Sequence, residues 1–181
     1  MDSTGSLPMT PESSVSVRVA TREDLAVIAE IGSEAFSGLR PGEQGQTWVK
    51  ATFASAPRME YWVAEDSSGI VGYVLWTEKG GFRSNAVIEL EQIAVRRDRR
   101  GRGVGRQLVR TSLEGVEERL ARRGSALKLI EVTTGSEQHA REFYRDVLGA
   151  EVVAEIPDYF RGTEYVMIAR RPKRPERPPS P

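Results

Sequence analysis

The chain has 181 residues, 39% hydrophobic and 29% charged, which predicts one soluble globular domain rather than a disordered or membrane-spanning chain. With no cysteine and a single histidine, His139, the sequence excludes disulfides, thiolate metal sites, cysteine nucleophiles and multi-histidine metal centres. Lys+Arg and Asp+Glu both total 26, so the formal net charge is zero, but the charges are segregated: seven arginines and one acid lie between Arg96 and Arg110, and six acids and two cations between Glu60 and Glu91. A neutral chain with one concentrated basic segment suggests a local anion site, not a general nucleic-acid surface.

No apolar run approaches the roughly 20 residues that cross a bilayer. Residues 1–16 lack the basic and apolar regions of a signal peptide, so a cytoplasmic location is expected. Residues 1–16 are rich in Ser, Thr, Pro and Gly, and residues 171–181 hold five prolines. Both ends are expected to be disordered tails, because neither buries enough apolar surface to offset its ordering entropy. The folded domain is expected over residues 17–170.

Within the domain, Val15, Val17 and Val19 alternate with polar residues and predict a strand. Thr21 opens a helix, with Asp24 as its capping-box partner and Leu25, Ile28, Ala29, Ile31, Ala35 and Phe36 as its apolar stripe. After a Gly/Pro-containing break comes a short helix around Trp48 to Phe53. Tyr61 to Ala64 and Ile70 to Trp76 are strand runs whose separation predicts an antiparallel hairpin. Ala86 to Val95 reads as a long strand. Val104, Leu108, Val109, Leu113, Val116 and Leu120 recur at helical spacing, and Gly124 stops that helix. Leu127 to Val132 is a strand, Ala140 to Leu148 a helix ended by Gly149, and Val152 to Ile156 and Glu164 to Ala169 are two final strands. The order predicts an α/β fold with a mixed, mostly antiparallel central sheet of about seven strands, helices on both faces, and a parallel step around the Val104–Leu120 helix.

The stretch Ile93-Ala94-Val95-Arg96-Arg97-Asp98-Arg99-Arg100-Gly101-Arg102-Gly103-Val104-Gly105-Arg106 runs from a strand through a Gly/Arg turn into a helix. A helix N-terminus offers unpaired N–H groups and the positive end of a dipole, and glycines let the backbone approach an anion. The turn is not a Walker A loop, which needs Gly-Lys-Ser/Thr, nor a Rossmann Gly-x-Gly-x-x-Gly. Arg100-x-x-Gly103-x-Gly105 instead resembles the acetyl-CoA pyrophosphate loop of the GNAT acyltransferase superfamily. Three further segments are similar to that family: Thr21-Arg22-Glu23-Asp24-Leu25 to its first helix, Gly69-Ile70-Val71-Gly72-Tyr73 to its third strand, and Phe143-Tyr144-Arg145-Asp146-Val147-Leu148-Gly149-Ala150 to its Phe-Tyr-x-x-x-Leu-Gly-Phe segment, where Ala150 replaces an aromatic.

The resemblance implies an acetyl-CoA-dependent N-acetyltransferase working by direct attack of an amine on the thioester, with no metal. It implies that the N–H groups of Gly101, Arg102, Gly103, Val104, Gly105 and Arg106, flanked by Arg100, hold the pyrophosphate. It implies too that the Ile93-Ala94-Val95 strand pairs with the pantetheine arm through Ile93 and Val95, and that the Ile93 N–H faces the carbonyl oxygen. Three carboxylates are candidates for the general base: Glu89, six residues before Val95; Glu91, on the same strand face; and Glu131, thirteen residues before Tyr144. Tyr144 matches the family's general acid, and the alternative for it is a core aromatic. Where the family often carries an asparagine for the pantetheine arm, this chain has Glu137, and Ser136 or Gln138 would have to substitute. His139 is read as a solvated surface residue.

The acceptor, by the same resemblance, enters opposite the cofactor, between residues 36–46 and the loop at 157–162. Asp158 would attract a cation, with Tyr159 and Phe160 as apolar walls. The acidic stretch from Glu60 to Glu91 also favours a cationic acceptor. No nucleic-acid or membrane partner is expected, and homodimers through the C-terminal strands are common among proteins of this resemblance. Two other functions compete: a non-catalytic CoA-binding sensor, and nucleic-acid binding through the arginine cluster.

Overall fold

The computed structural model describes residues 15–36, 42–81, 83–160 and 162–171. The rest of both predicted tails lies outside the described residues, as do residues 37–41 of the expected acceptor entrance and Arg161. Seven strands form one sheet: β1 (Ser16–Val19), β2 (Met59–Asp66), β3 (Gly69–Lys79), β4 (Asn85–Val95), β5 (Ala126–Thr134), β6 (Glu151–Ile156) and β7 (Glu164–Arg170). The helices are α1 (Leu25–Ala35), α2 (Glu43–Phe53), α3 (Val104–Arg122) and α4 (Gln138–Leu148). The strand order is β1-β2-β3-β4-β5-β7-β6, and every pairing is antiparallel except β4 with β5. That parallel step is bridged by α3, as the alternation of patterns predicts. Among the described residues no helix is long and apolar enough to cross a membrane.

Local chemistry explains the boundaries. The Asp24 carboxylate accepts from the Thr21 N–H at 2.7 Å and from Arg18 at 2.7 Å, so the capping box is also tied to β1. A short 3₁₀ turn over Arg22–Asp24 precedes α1. Helix α2 begins five residues earlier than expected, at Glu43. Its first turn is polar and carries no apolar period, but Glu43 there suits the positive end of the helix dipole.

Two cores flank the sheet. Ile28, Ile31 and Val49 of α1 and α2 pack on Tyr61, Val63, Tyr73, Leu75 and Ala94. On the other face, Val104, Leu108, Val109, Leu113, Val116 and Leu120 of α3 and Leu148 of α4 cover Val74, Trp76, Ile88, Leu90, Ile130, Val132 and Met167. An ionic cluster around the buried Glu78 closes the far end of α3. Glu78 accepts from Arg123 at 2.6 and 3.0 Å and lies 3.6 Å from Arg119, which in turn reaches Glu60 at 3.4 Å.

Gly115 marks the closest approach of α3 to the sheet. A Cβ there would lie 2.2 Å from Trp62 Cη2 and 2.5 Å from Cζ2. In an exposed helix Gly→Ala gains about 1 kcal/mol, whereas overpacking a filled contact costs about 1–3 kcal/mol. Gly115→Ala is therefore expected to destabilise the protein by about 1 kcal/mol net. Urea denaturation of the two proteins checks this, and a gain in stability would show that Trp62 moves aside freely.

Candidate active site

The site is built around the point where two parallel strands part. β4 and β5 are in register from Asn85↔Ala126 to Glu89↔Glu131, and no pairing follows. Beyond that point β4 is paired only with β3, and β5 only with β7. The result is a cleft whose vertex is the Glu89–Glu131 pair.

A β-bulge sits at the vertex. Trp76 pairs with Leu90 and Leu75 with Gln92, so Glu91 is the extra residue. The bulge reverses the phase of the strand. Before it, Ile88 and Leu90 face α3; after it, Ala94 faces α1 and α2 while Ile93 packs toward α3. Glu89, Glu91 and Gln92 thus all point to the α1/α2 face.

Past the bulge, the Arg96 N–H donates to the Val71 carbonyl at 2.8 Å. Alternation along an antiparallel pair then turns the N–H and C=O groups of Ala94 toward β3, and those of Ile93 and Val95 into the cleft. The Val95 carbonyl accepts from Arg100 Nε at 2.9 Å, which folds the loop back onto the strand end.

The loop delivers a row of donors to the same cleft. The first helical hydrogen bond of α3 runs from the Gln107 N–H to the Gly103 carbonyl at 3.0 Å. Among the described residues, the N–H groups of Gly101 through Arg106 have no acceptor. Gly101 and Gly103 hold φ of +74° and +81°, and a Cβ on either would project into open space. Left-handed backbone at these positions needs glycine and turns the free N–H groups outward. Gly105 lies against Phe143 of α4 and Ile93 of β4, which seats the helix N-terminus over the splayed strands.

The arginines divide their work. Arg99 is bound to Asp66 at 2.9 Å and to Asp98, pinning the loop to the β2–β3 hairpin, and hydrogen bonds from Ser68 and Arg99 hold the Asp66 carboxyl down at about 2. Arg96 pairs with Glu30 of α1 at 2.9 Å. Arg106 approaches Asp146 at 3.8 Å. Arg102 forms no ion pair among the described residues and is exposed.

The three candidate bases share one face but not one environment. Lys79 Nζ lies 2.9 Å from Glu89 and 2.6 Å from Glu131, bridging the vertex. Glu91 has no cationic partner among the described residues; it accepts from the Thr77 hydroxyl at 2.5 Å. The Tyr61 hydroxyl is buried without a hydrogen-bond partner, and burial together with the nearby Glu91 charge pushes it up to about 12. Gln92 accepts from Tyr73 at 2.9 Å. Lys79, Tyr61, Thr77 and Gln92 were not singled out from the sequence. Their proximity to the vertex depends on strand register, which their own residue types do not signal.

The acidic stretch is also less available than its composition suggests. Glu60 and Glu78 pair with α3 arginines, Glu65 with Arg18, Asp66 with Arg99 and Glu89 with Lys79, leaving Glu91 as the one without a cation.

Tyr144 packs edge-on to Phe143 with ring centroids 5.3 Å apart. Burial pushes its phenol up to about 12, so it carries its proton throughout the neutral range. Asp158, with φ +55°, and the exposed, edge-to-face pair Tyr159 and Phe160 lie in the β6–β7 loop. No hydrogen bond among the described residues joins them to the Glu91 group. Glu137 caps α4 and pairs with the exposed His139 at 3.3 Å.

The family model for the acetyltransferase (GNAT) family matches residues 25–150. The chain belongs to that family. No curated protein matches the chain in sequence. Among solved structures it is similar to an aminoglycoside 6'-N-acetyltransferase complexed with coenzyme A (17% identity, 88% of this chain and 99% of that one, TM-score 0.69). It is likewise similar to yncA of Salmonella typhimurium, solved with acetyl-CoA (20% identity, 93% and 100%, TM-score 0.64). A third similar structure is a variant of the spermidine N-acetyltransferase SpeG of Vibrio cholerae (18% identity, 85% and 92%, TM-score 0.65). At these identities the structures share the fold.

The tyrosines offer a check on the site. Of the five, Tyr61, Tyr73 and Tyr144 are all shifted upward by burial. A spectrophotometric titration should show their phenolate absorbance appearing only well above pH 10. Tyr144→Phe should remove one tyrosine's amplitude from that late phase. Loss from the early phase would place Tyr144 in water.

Proposed function

We propose that this protein transfers an acetyl group from acetyl-CoA to the nitrogen of an amine acceptor. The observation that carries the reading is the row of N–H groups from Gly101 to Arg106, which have no acceptor among the described residues, at the positive end of α3 and beside the edge of β4 that β5 no longer pairs. These residues fit the cofactor: the N–H row and the dipole suit a pyrophosphate, with Arg100 and Arg102 beside it. The N–H and C=O groups of Ile93 and the N–H of Val95 suit the amides of the pantetheine arm, with Ala94 bonding back to β3 and the Val95 carbonyl held by Arg100. Acetyl-CoA supplies the thioester carbonyl that the amine attacks and the thiolate that leaves. The Ile93 N–H is the donor we assign to the carbonyl oxygen.

Glu91 is the base we favour. Its carboxylate is fixed by Thr77, has no competing cation, and stands on the bulge beside the vertex. It takes the proton from the acceptor nitrogen, which is an ammonium at neutral pH. Tyr144 Oη holds the proton that the leaving sulfur needs. Its half-buried phenol, with its pKa pushed up, suits a donor that must not ionise in the resting state. Asp158, Tyr159 and Phe160 are assigned to the outer wall of the acceptor entrance. Similar structures named for aminoglycoside and spermidine acetylation support an amine as the acceptor class.

Calorimetry with acetyl-CoA, followed by thiol release over a panel of amines and peptides with free N-termini, tests the reading. Micromolar binding with thiol release is expected. Binding without release from any amine would favour a CoA sensor, and no binding would remove the reading. Gly103→Asp places a negative charge and a disfavoured φ in the loop, and should abolish acetyl-CoA binding in a folded protein. Glu91→Gln should lower kcat by about 100-fold while the acetyl-CoA Kd stays within about two-fold. A greater loss in Glu89→Gln or Glu131→Gln would move the base to that residue.

A further inference from the structure

We propose that Lys79 is a specificity-determining residue that restricts the acceptor to amines bearing one positive charge near the reacting nitrogen. The inference rests on the reading above, in that the acceptor must approach Glu91.

Three carboxylates converge on the α1/α2 face at the cleft vertex. Glu89 and Glu131 are direct partners across the parallel strands, and Glu91 follows on the bulge. Like charges in register repel and would attract a polycation strongly. Lys79 answers this from β3. Its Nζ sits 2.9 Å from Glu89 and 2.6 Å from Glu131, and no other cation among the described residues pairs with either.

The lysine occupies the place that the second ammonium of a diamine or triamine would take. It also lowers the net charge of the group by one. Burial alone would pull the Lys79 ammonium down, but the hydrogen bonds to Glu131 and Glu89 outweigh it and hold it above its ordinary value. The lysine is therefore charged whenever an acceptor binds. The side chains of Lys79, Glu89 and Glu131 keep 37%, 18% and 25% of their exposure, so an arriving ligand can reach them. Their ionic contact competes with the ligand rather than lying sealed in the core. Thr77 separates the two functions: it stands opposite Glu89 in the register yet donates to Glu91, keeping that carboxylate apart from the Lys79 bridge.

The test compares wild type with Lys79→Met, which keeps the aliphatic stem, and Lys79→Arg, which keeps the charge. Binding of a linear aliphatic triamine and of a monoamine of matched length is measured by calorimetry, with acetyl-CoA affinity as the control for a folded cofactor cleft. Turnover of both amines is then measured. Lys79→Met should bind the triamine about 10-fold more tightly than wild type does, given the strength of a single charge contact at this range. The monoamine affinity should change by less than about two-fold, because Glu91 is untouched. In turnover the gain should fall on KM rather than kcat, and Lys79→Arg should retain the wild-type preference. Equal triamine affinity in wild type and Lys79→Met would overturn the proposal, as would the same gain in Lys79→Arg. Because the binding arm needs no turnover, its result stands apart from failure of the acetyl-transfer reading, which would show as no thiol release from any amine. If Lys79→Met does not fold, Lys79→Gln removes the charge while retaining a polar N–H donor, and the same comparison decides.

Discussion

The structure depends on one local event, the loss of pairing between β4 and β5 immediately after Glu89↔Glu131. A continuous sheet would satisfy every main-chain group of both strands and leave nothing to bind with. Here the outer halves of the strands separate, and each keeps a partner on one side only. Unpaired main-chain groups in an interior are costly unless something bonds to them. The cleft is thus an unfilled position in a sheet, shaped for an extended ligand with amide groups. The bulge at Glu91 belongs to the same event. It places two consecutive polar side chains, Glu91 and Gln92, on the α1/α2 face.

Charge is arranged around this opening with little left over. The basic loop reads in sequence as a local anion site, and in the fold Arg96 and Arg99 hold it to α1 and to the β2–β3 hairpin while Arg100 bonds its own strand. What remains for an anion is mostly backbone: six N–H groups and a helix dipole. Such donors are fixed by the fold and need no side-chain ordering when a ligand binds. On the opposite side, among the described residues, Lys79, Arg18, Arg99, Arg119 and Arg123 pair with every carboxylate of the acidic stretch but one. The one left over, Glu91, stands beside the vertex.

Most of the architecture was legible because its signals are local. Helix α3 follows from the spacing of Val104 to Leu120, the β2–β3 hairpin from its alternating runs and the turn before Gly69, and the parallel step from the helix between two strands. The loop was legible for the same reason: its glycines and its place between a strand and a helix lie within sixteen residues. The choice among Glu89, Glu91 and Glu131 was not legible. It turns on a bulge with no distinctive residue and on Lys79, which is 10 residues from Glu89 and 52 from Glu131 in sequence. Contacts of that kind are set by register across three strands. The α2 start was missed because its first turn, Glu43 to Thr47, has no apolar residue to set a period.

On the proposed function, main-chain groups of the splayed strand and the α3 N-terminus hold the cofactor. Amide hydrogen exchange with and without acetyl-CoA tests it most directly. Slowed exchange is expected at Gly101 through Arg106 and at Ile93 and Val95, with little change along β1 or β6. Binding of acetyl-CoA that leaves those amides unprotected, or protects a different part of the molecule, would contradict it.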